Sequence, residues 1–342
     1  MKPILAITMG DPAGIGPEII LQSLALKETY DKCRPLVTGD AKVMEFVAKQ
    51  QKSELKINAI SSVKEAKFEY GTVDVFDLNL IDMNTFEQGK VAVQCGNAAF
   101  QSVIKAIELA MNNEVDGTVT APLNKEALNL AGHHFDGHTE IYATYTHTKK
   151  YAMLLADEFL RVIHVSTHVP LRKACDLVKK ERIIDVTELI TDACKQFGIE
   201  NPKIGIAGLN PHASDGGLFG DEERLEITPA VEELKAKGFN VDGPVPPDTL
   251  FAKAKCGKYD GCVAMYHDQG HIPFKVVGFN WDRATGKMST AKGVNITLGL
   301  PIIRVSVDHG TAFDVAGKGV ASPDAMLLSI DYATKMAISR KK

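Results

Sequence analysis

Three histidines each follow an apolar, β-branched run: His168 in VIHVSTHVPL (162–171), His212 in IGIAGLNPH (204–212) and His267 in CVAMYHDQG (262–270). If these runs are neighbouring parallel strands, the imidazoles reach one sheet edge. Neutral ring nitrogens there suit a borderline divalent ion, and three ligands leave positions open for substrate oxygens. Taken singly, each histidine reads as a hydrogen-bonded packing residue, and their spacing is no local zinc signature. His133, His134, His147 and His164 lack comparable context and read as structural.

A second group offers positive charge to an anion. The run DGHTE (136–140) sets His138 and Thr139 at the start of a helix, a place that favours anions and equally an ordinary helix cap. Lys275, Asn295 and Arg304 ride on otherwise apolar, strand-like segments. A lysine and an arginine in such surroundings need an anion, either an internal carboxylate or a substrate phosphate. Two small-residue stretches complete the set. TMGDPAGIGPE (8–18) reads as a strand, a glycine turn and a helix with Pro17 in its first turn; Gly14 and Gly16 let a ligand approach the backbone. The turn lacks both GxGxxG and the Walker lysine, so it is neither a Rossmann fingerprint nor a P-loop, and alone it would be a plain connector. VDHGTAFDVAGKGVASP (307–323) is a Gly/Ala-rich loop in which Asp308, His309, Gly310, Thr311 and Ala312 leave room for a flat ring, or form an ordinary surface loop.

These residues must be positioned by alternating strands and helices. Short β-branched runs (Ile4 to Thr8, Pro35 to Thr38, Gly117 to Thr120) alternate with helical patterns from Pro17, from Asp40 and over Asn124 to Leu130. Such alternation predicts an α/β fold of parallel sheets covered by helices. The strongest helical periodicity covers Gly96 to Asn112, with Phe100, Val103, Ile104, Ile107 and Met111 on one face; Glu181 to Phe197 and Asp221 to Lys237 follow. The polar, His-rich stretch 132–148 interrupts the alternation and sets a domain boundary near residue 125. The expected division is 1–125 plus 295–342 for a first α/β/α domain and 126–294 for a second, with the ligand site in the cleft between them at strand carboxyl ends.

Composition describes a soluble, well-cored globular protein for which small anionic ligands remain possible. Its 342 residues are 45% hydrophobic and 24% charged, enough for two well-cored domains. With 39 basic against 43 acidic residues the formal net charge is -4, so no cationic field exists to hold nucleic acid or an anionic membrane. No apolar run approaches a membrane span or a signal peptide, and a cytoplasmic address is the expectation. Six scattered cysteines without a CxxC pair read as reduced, mostly core thiols.

The last loop resembles the nicotinamide-adenine-dinucleotide loop of isocitrate and isopropylmalate dehydrogenases. Together TMGDPAGIGPE, TAPLNK, GHTE, STHVPL, GLNPHA, MYHDQGHIPFK, GVNITLGLP and DHGTA are similar to the 4-hydroxythreonine-4-phosphate dehydrogenase family, eight motifs in order from residue 8 to residue 312. The resemblance implies two α/β/α domains as in those dehydrogenases. It further implies a homodimer with a shared active site, in which NAD oxidises the secondary alcohol of a small phosphorylated hydroxy acid and the β-keto acid then loses carbon dioxide. It assigns a divalent metal (Zn, Co, Mn or Mg) to His168, His212 and His267, the last from the other subunit, and the substrate to His138, Thr139, Lys275, Asn295 and Arg304. The dinucleotide falls to Gly14, Gly16 and residues 308–312, and without an arginine beside Asp308 or Asp314 to meet a 2′-phosphate, NAD is expected over NADP. Lys275, Asp248 and Asp268 are the candidate general bases, with Lys125 another lysine near a strand end.

Two departures bear on the substrate. A longer segment, including 281–292, separates Lys275 from Gly293, and His271 follows HDQG where many relatives have an apolar residue. Both point to the branch that oxidises D-threonate or D-erythronate 4-phosphate rather than 4-phosphohydroxy-L-threonine. The competing reading is a metal-dependent lyase or hydrolase of a phosphorylated sugar acid, which would need no DHGTA loop.

Overall fold

The computed structural model describes residues 1–278, 281–283, 287–288 and 293–341. The chain divides into two compact units, one of residues 1–149 and 300–342, the other of residues 150–299. In chain order the strands of their sheets are β1 (Ile4–Thr8), β2 (Arg34–Gly39), β3 (Lys56–Ile60), β4 (Thr72–Asp77), β5 (Gly117–Thr120), β6 (Ala152–Ala156), β7 (Arg161–His164), β8 (Ile204–Ala207), β9 (Val241–Val245), β10 (Gly261–Ala264), β11 (Val294–Leu298) and β12 (Arg304–Val307).

The first unit is built on the parallel ladder β3-β4-β2-β1-β5-β12. Helices Gly16–Leu24, Ala41–Gln50 and Asp324–Arg340 form one layer over it; Val93–Met111, Lys125–Leu130 and His138–Tyr145 form the other. Local signals explain the starts: Asp40 and Asn124 cap their helices by accepting from Lys42 N and Ala127 N. Helix Val93–Met111 buries Phe100, Val103 and Ile107 as its periodicity predicts, but Met111 is exposed. Ala99, Ala106 and Ala110 share the buried face instead, because small residues let the helix approach its neighbours. The closest approach is at Gly96, where a Cβ would stand 2.0 Å from the carbonyl oxygen of Ala127.

The first unit runs on to Lys149 instead of ending at residue 125, and the second begins at Lys150 and keeps β11 with Asn295. The reason is packing. Ile141 and Tyr142, both wholly buried, join Phe100, Leu128 and Leu300 in one apolar cluster, so the polar-looking stretch closes the first core.

The second unit has the order β11-β6-β7-β10-β8-β9, antiparallel across β11, β6 and β7 and parallel from β7 to β9. Helices Lys180–Gln196 and Thr228–Ala236 pack together, while Pro247–Lys255 and His267–Gly278 pack on β10. The single helix expected over 221–237 is divided into a wide turn at Glu223–Ile227 and a regular helix from Thr228. Pro229 has no N–H to offer the carbonyl one turn earlier, which interrupts the ladder there. Lys275 lies in helix His267–Gly278, not on a strand. Of the 281–292 segment, Trp281–Asp282 pairs with Lys287–Met288, and residues 284–286 and 289–292 lie outside the described residues. All six cysteines are free, four of them buried. No described helix is long and apolar enough to cross a membrane.

Candidate active site

In the first unit, register places Thr38, Thr8, Thr120 and Ser306 side by side at the carboxyl ends of β2, β1, β5 and β12. All four are buried. Arg304 enters this row from the start of β12: only 3% exposed, it donates from Nη2 to Thr120 Oγ1 at 3.1 Å and holds its guanidinium carbon 5.7 Å from the centre of the Tyr142 ring. Burial draws it down to about 10, so it stays charged at neutral pH. His138 is the first residue of helix His138–Tyr145, and its Nε2 is buried with no hydrogen-bond partner among the described residues. Desolvation first, and then the charge of Arg304, hold this imidazole well below its ordinary value. Thr139 follows it in the same first turn, with Glu140 beside them. A neutral imidazole whose Nε2 is buried without a partner among the described residues, at the start of a helix in the unit that holds the buried Arg304, suits an anionic ligand's oxygens.

Beside that edge lie the glycine turn and the DHGTA loop, brought together from opposite ends of the chain. Ile15 N donates to Thr311 O at 3.0 Å. A Cβ on Gly14 would meet the same oxygen at 2.9 Å, whereas at Gly310 it would meet nothing within 4 Å. The loop is thus pinned at Thr311 and open at Gly310, which fits a flat ligand. Gly16 serves packing, since a Cβ there would strike Met9 O at 2.3 Å. Asp11 is wholly buried in the turn; its Oδ1 accepts from Ala13 N at 2.9 Å and its Oδ2 has no partner among the described residues. Desolvation raises its carboxyl to about 6.

In the second unit, His168 follows β7 and His267 follows β10, and these adjacent strands set their rings 5.5 Å apart. Both line a cavity of about 410 Å³ with Thr167, Leu171 and Tyr266. His267 shares a hydrogen bond with Asp268 through Nδ1 at 2.7 Å, which leaves Nε2 as its remaining ligating atom, the usual arrangement of a metal-binding imidazole. The chemistry of the His267 imidazole therefore suits a divalent ion. His212 is not brought to these two rings: among the described residues no three histidine, cysteine or acidic groups stand close enough to hold a metal. It lies exposed on the loop Pro211–Gly217, where His212 through Gly216 all take positive φ. His267, His271 and Lys275 follow one another at helical spacing of four along one face. The ring of His271 stacks on His267 at 3.6 Å, and its Nδ1 contacts His267 O at 3.0 Å. Asn295 on β11 has a buried Oδ1 without a partner among the described residues. Asp268 is engaged with His267, Asp248 is exposed on another helix, Pro247–Lys255, and Lys125 is exposed at the start of helix Lys125–Leu130.

The family described as pyridoxal phosphate biosynthetic protein PdxA matches residues 31–333. The chain belongs to the PdxA family. Its relatives include D-threonate 4-phosphate dehydrogenase of Salmonella typhimurium, 48% identical over 97% of this chain and 98% of that protein, and the enzyme of the same name from Pectobacterium atrosepticum, 46% identical over 98% and 100%. The crystal structure of a 4-hydroxythreonine-4-phosphate dehydrogenase from Burkholderia phymatum superposes with a TM-score of 0.83 at 44% identity, covering 98% of both chains. This PdxA-family chain thus matches its relatives nearly end to end.

Sequence reasoning missed three groups in it. Glu18, wholly buried, accepts hydrogen bonds from the amides of Gly317 and Gly319. Glu223 accepts from Leu209 N and Asn210 N at 2.8 and 2.7 Å and so anchors the strand-end loop that carries His212. His164, read as structural, is 1% exposed with its ring 4.7 Å from His271, and burial drives it down to about 3. Only Glu18, directly after the glycine turn, carried a local signal.

Proposed function

We propose that the chain is an NAD- and divalent-metal-dependent dehydrogenase that oxidises a 4-phosphorylated hydroxy acid of the D-threonate or D-erythronate type and releases carbon dioxide to leave a three-carbon keto phosphate. The observation that carries the reading is buried Arg304, bonded to Thr120 in a row of strand-end hydroxyls, with His138 opening a helix of the same unit, in a chain that matches D-threonate 4-phosphate dehydrogenases over nearly its full length.

Arg304, held by Thr120, supplies positive charge to the substrate's phosphate, and His138 and Thr139 add donors at the helix start. Lys275 and Asn295 complete the substrate set. His168 and His212 of one chain with His267 of the other would hold the divalent ion, which when bound supplies Lewis acidity for the alcohol oxidation and the decarboxylation. Asp268 orients His267 through its Nδ1 and is occupied by that contact, which leaves Lys275 the better placed of the candidate bases, two turns along the same helix face. The dinucleotide lies against residues 308–312 and the Gly14 turn, and a partner subunit contributes His267 to a shared site.

The test is reduction of NAD, followed as absorbance of the reduced nicotinamide, with 4-phosphohydroxy-L-threonine, D-threonate 4-phosphate and D-erythronate 4-phosphate compared side by side. One of the two hydroxy acids is expected to lead, with NAD favoured over NADP and turnover abolished by chelator. Dephosphorylated acids should lose at least ~10³ in kcat/KM, because they forgo the remote binding energy that the phosphate draws from Arg304 and the donors at the helix start. Comparable rates without the phosphate would refute the roles given to His138 and Arg304, and a strong preference for the amino acid would refute the substrate branch.

A further inference from the structure

The carboxylate of Glu18 ties the start of the chain to its last loop. It sits in the first turn of helix Gly16–Leu24, is 0% exposed, and receives three donors: the amides of Gly317 and Gly319, the latter at 3.1 Å to Oε2, and Gln51 Nε2 at 3.3 Å to the same oxygen. A buried carboxylate without donors would be strongly unfavourable, and here backbone amides and the positive end of the helix satisfy it. Both glycines hold positive φ, 82° and 64°, which L side chains rarely adopt, so the peptide planes that aim these two N–H groups at Glu18 rest on glycine. The same loop is held at its other end by Ile15 N donating to Thr311 O. Phe313 between these points packs by its backbone on Gly89, where a Cβ would meet Phe313 O at 2.9 Å.

We propose that Glu18 is the positioning residue of the 308–319 loop, holding it from its far end so that residues 308–312 present a fixed surface to the dinucleotide. This rests on the reading of that loop as the dinucleotide site. The arrangement has a chemical consequence. Because the Gly317 and Gly319 amides are committed to Glu18, they are withdrawn from the dinucleotide's pyrophosphate, and the loop meets its ligand through its near limb.

Glu18→Gln keeps the shape but replaces one acceptor oxygen with a donor NH2, which opposes the amide or Gln51 donor facing it. Hydrogen exchange of the full-length protein should show amides in peptides covering 308–322 exchanging at least about tenfold faster, with peptides from 150–278 unchanged. By calorimetric titration the Kd for NAD should rise about tenfold, while the KM for the phosphorylated acid stays put. Gln51→Met, which removes one donor from the same carboxylate, should give a smaller change in the same peptides and covers the case in which the Glu18 variant does not fold. Unchanged exchange over 308–322 in either folded variant overturns the proposal. Faster exchange in a protein whose wild type binds no dinucleotide instead overturns the functional reading beneath it.

Discussion

Asp11 shows how a single residue stores a pH dependence. Its carboxyl is wholly buried, with one oxygen bonded to Ala13 N, and desolvation raises it from 3.8 to about 6. The native state therefore binds this proton more tightly than the unfolded chain. The contribution to stability is fully present below pH 3.8 and is lost as pH rises through about 6, above which the fold carries a buried charge. Asp11→Asn keeps the Oδ1 acceptor and removes the charge. It should raise the thermal midpoint at pH 7.5, by an amount equivalent to up to about 3 kcal/mol from a shift of that size, and change little at pH 4. Melts at the two pH values check this; an equal effect at both would mean that Asp11 is not charged in the folded protein near neutrality. His138 works in the opposite direction. Its depressed value means that the unfolded chain takes up a proton first as pH falls below 6.5, so the fold weakens toward acid.

At the level of elements, the apposition of helix Val93–Met111 with Lys125–Leu130 carries the polar stretch that follows. Gly96 permits it, and no rotation of a side chain relieves the clash that a Cβ there makes with the Ala127 backbone. Gly96→Ala should cost about 1–3 kcal/mol despite alanine's better helix propensity, because the helices must separate. The measurement is the denaturation midpoint, and a stabilised variant would show that the contact relaxes freely. The shift should also reach His138, since Ile141 and Tyr142 of its helix pack in the cluster that holds Phe100 and Leu128. Weakened binding of the phosphorylated substrate in this variant, with divalent-ion binding unchanged, is the expected signature.

For the molecule as a whole, the proposed shared site is tested through His168 and His267. His168 and His267 of one chain already lie with their rings 5.5 Å apart. If the partner's copy of His267 completes each site, mixing inactive His168→Ala and His267→Ala chains should restore about a quarter of wild-type turnover, because each hybrid two-fold dimer regains one intact site. Turnover of the exchanged mixture, with hybrid formation shown by mass, decides the matter. No recovery would mean that the neighbouring pair within one chain serves a single site. The formal charge of -4 remains consistent with a small anion drawn by a local cluster rather than by a global field.

The sequence by itself determined the α/β class, the edges of several strands and helices, such as Ile4 to Thr8 and Asn124 to Leu130, and the residue types after the strand runs that carry the histidines. Those features rest on near-neighbour physics: side-chain periodicity, caps such as Asp40 and Asn124, and glycine turns. The strand-end positions of His168, His212 and His267 and the helix-start position of His138 were legible for the same reason. Tertiary structure alone decided where the first unit ends, because a polar run such as 132–148 is assigned by the burial of two residues, Ile141 and Tyr142, that its composition hides. It also decided that Lys275 rides on a helix, that His212 stands apart from the other two histidines, and that Glu18 reaches Gly317 and Gly319 across most of the chain. Contacts between residues so distant in sequence leave no periodic trace, since they arise only once strands have chosen their neighbours and loops have met across the sheet edge.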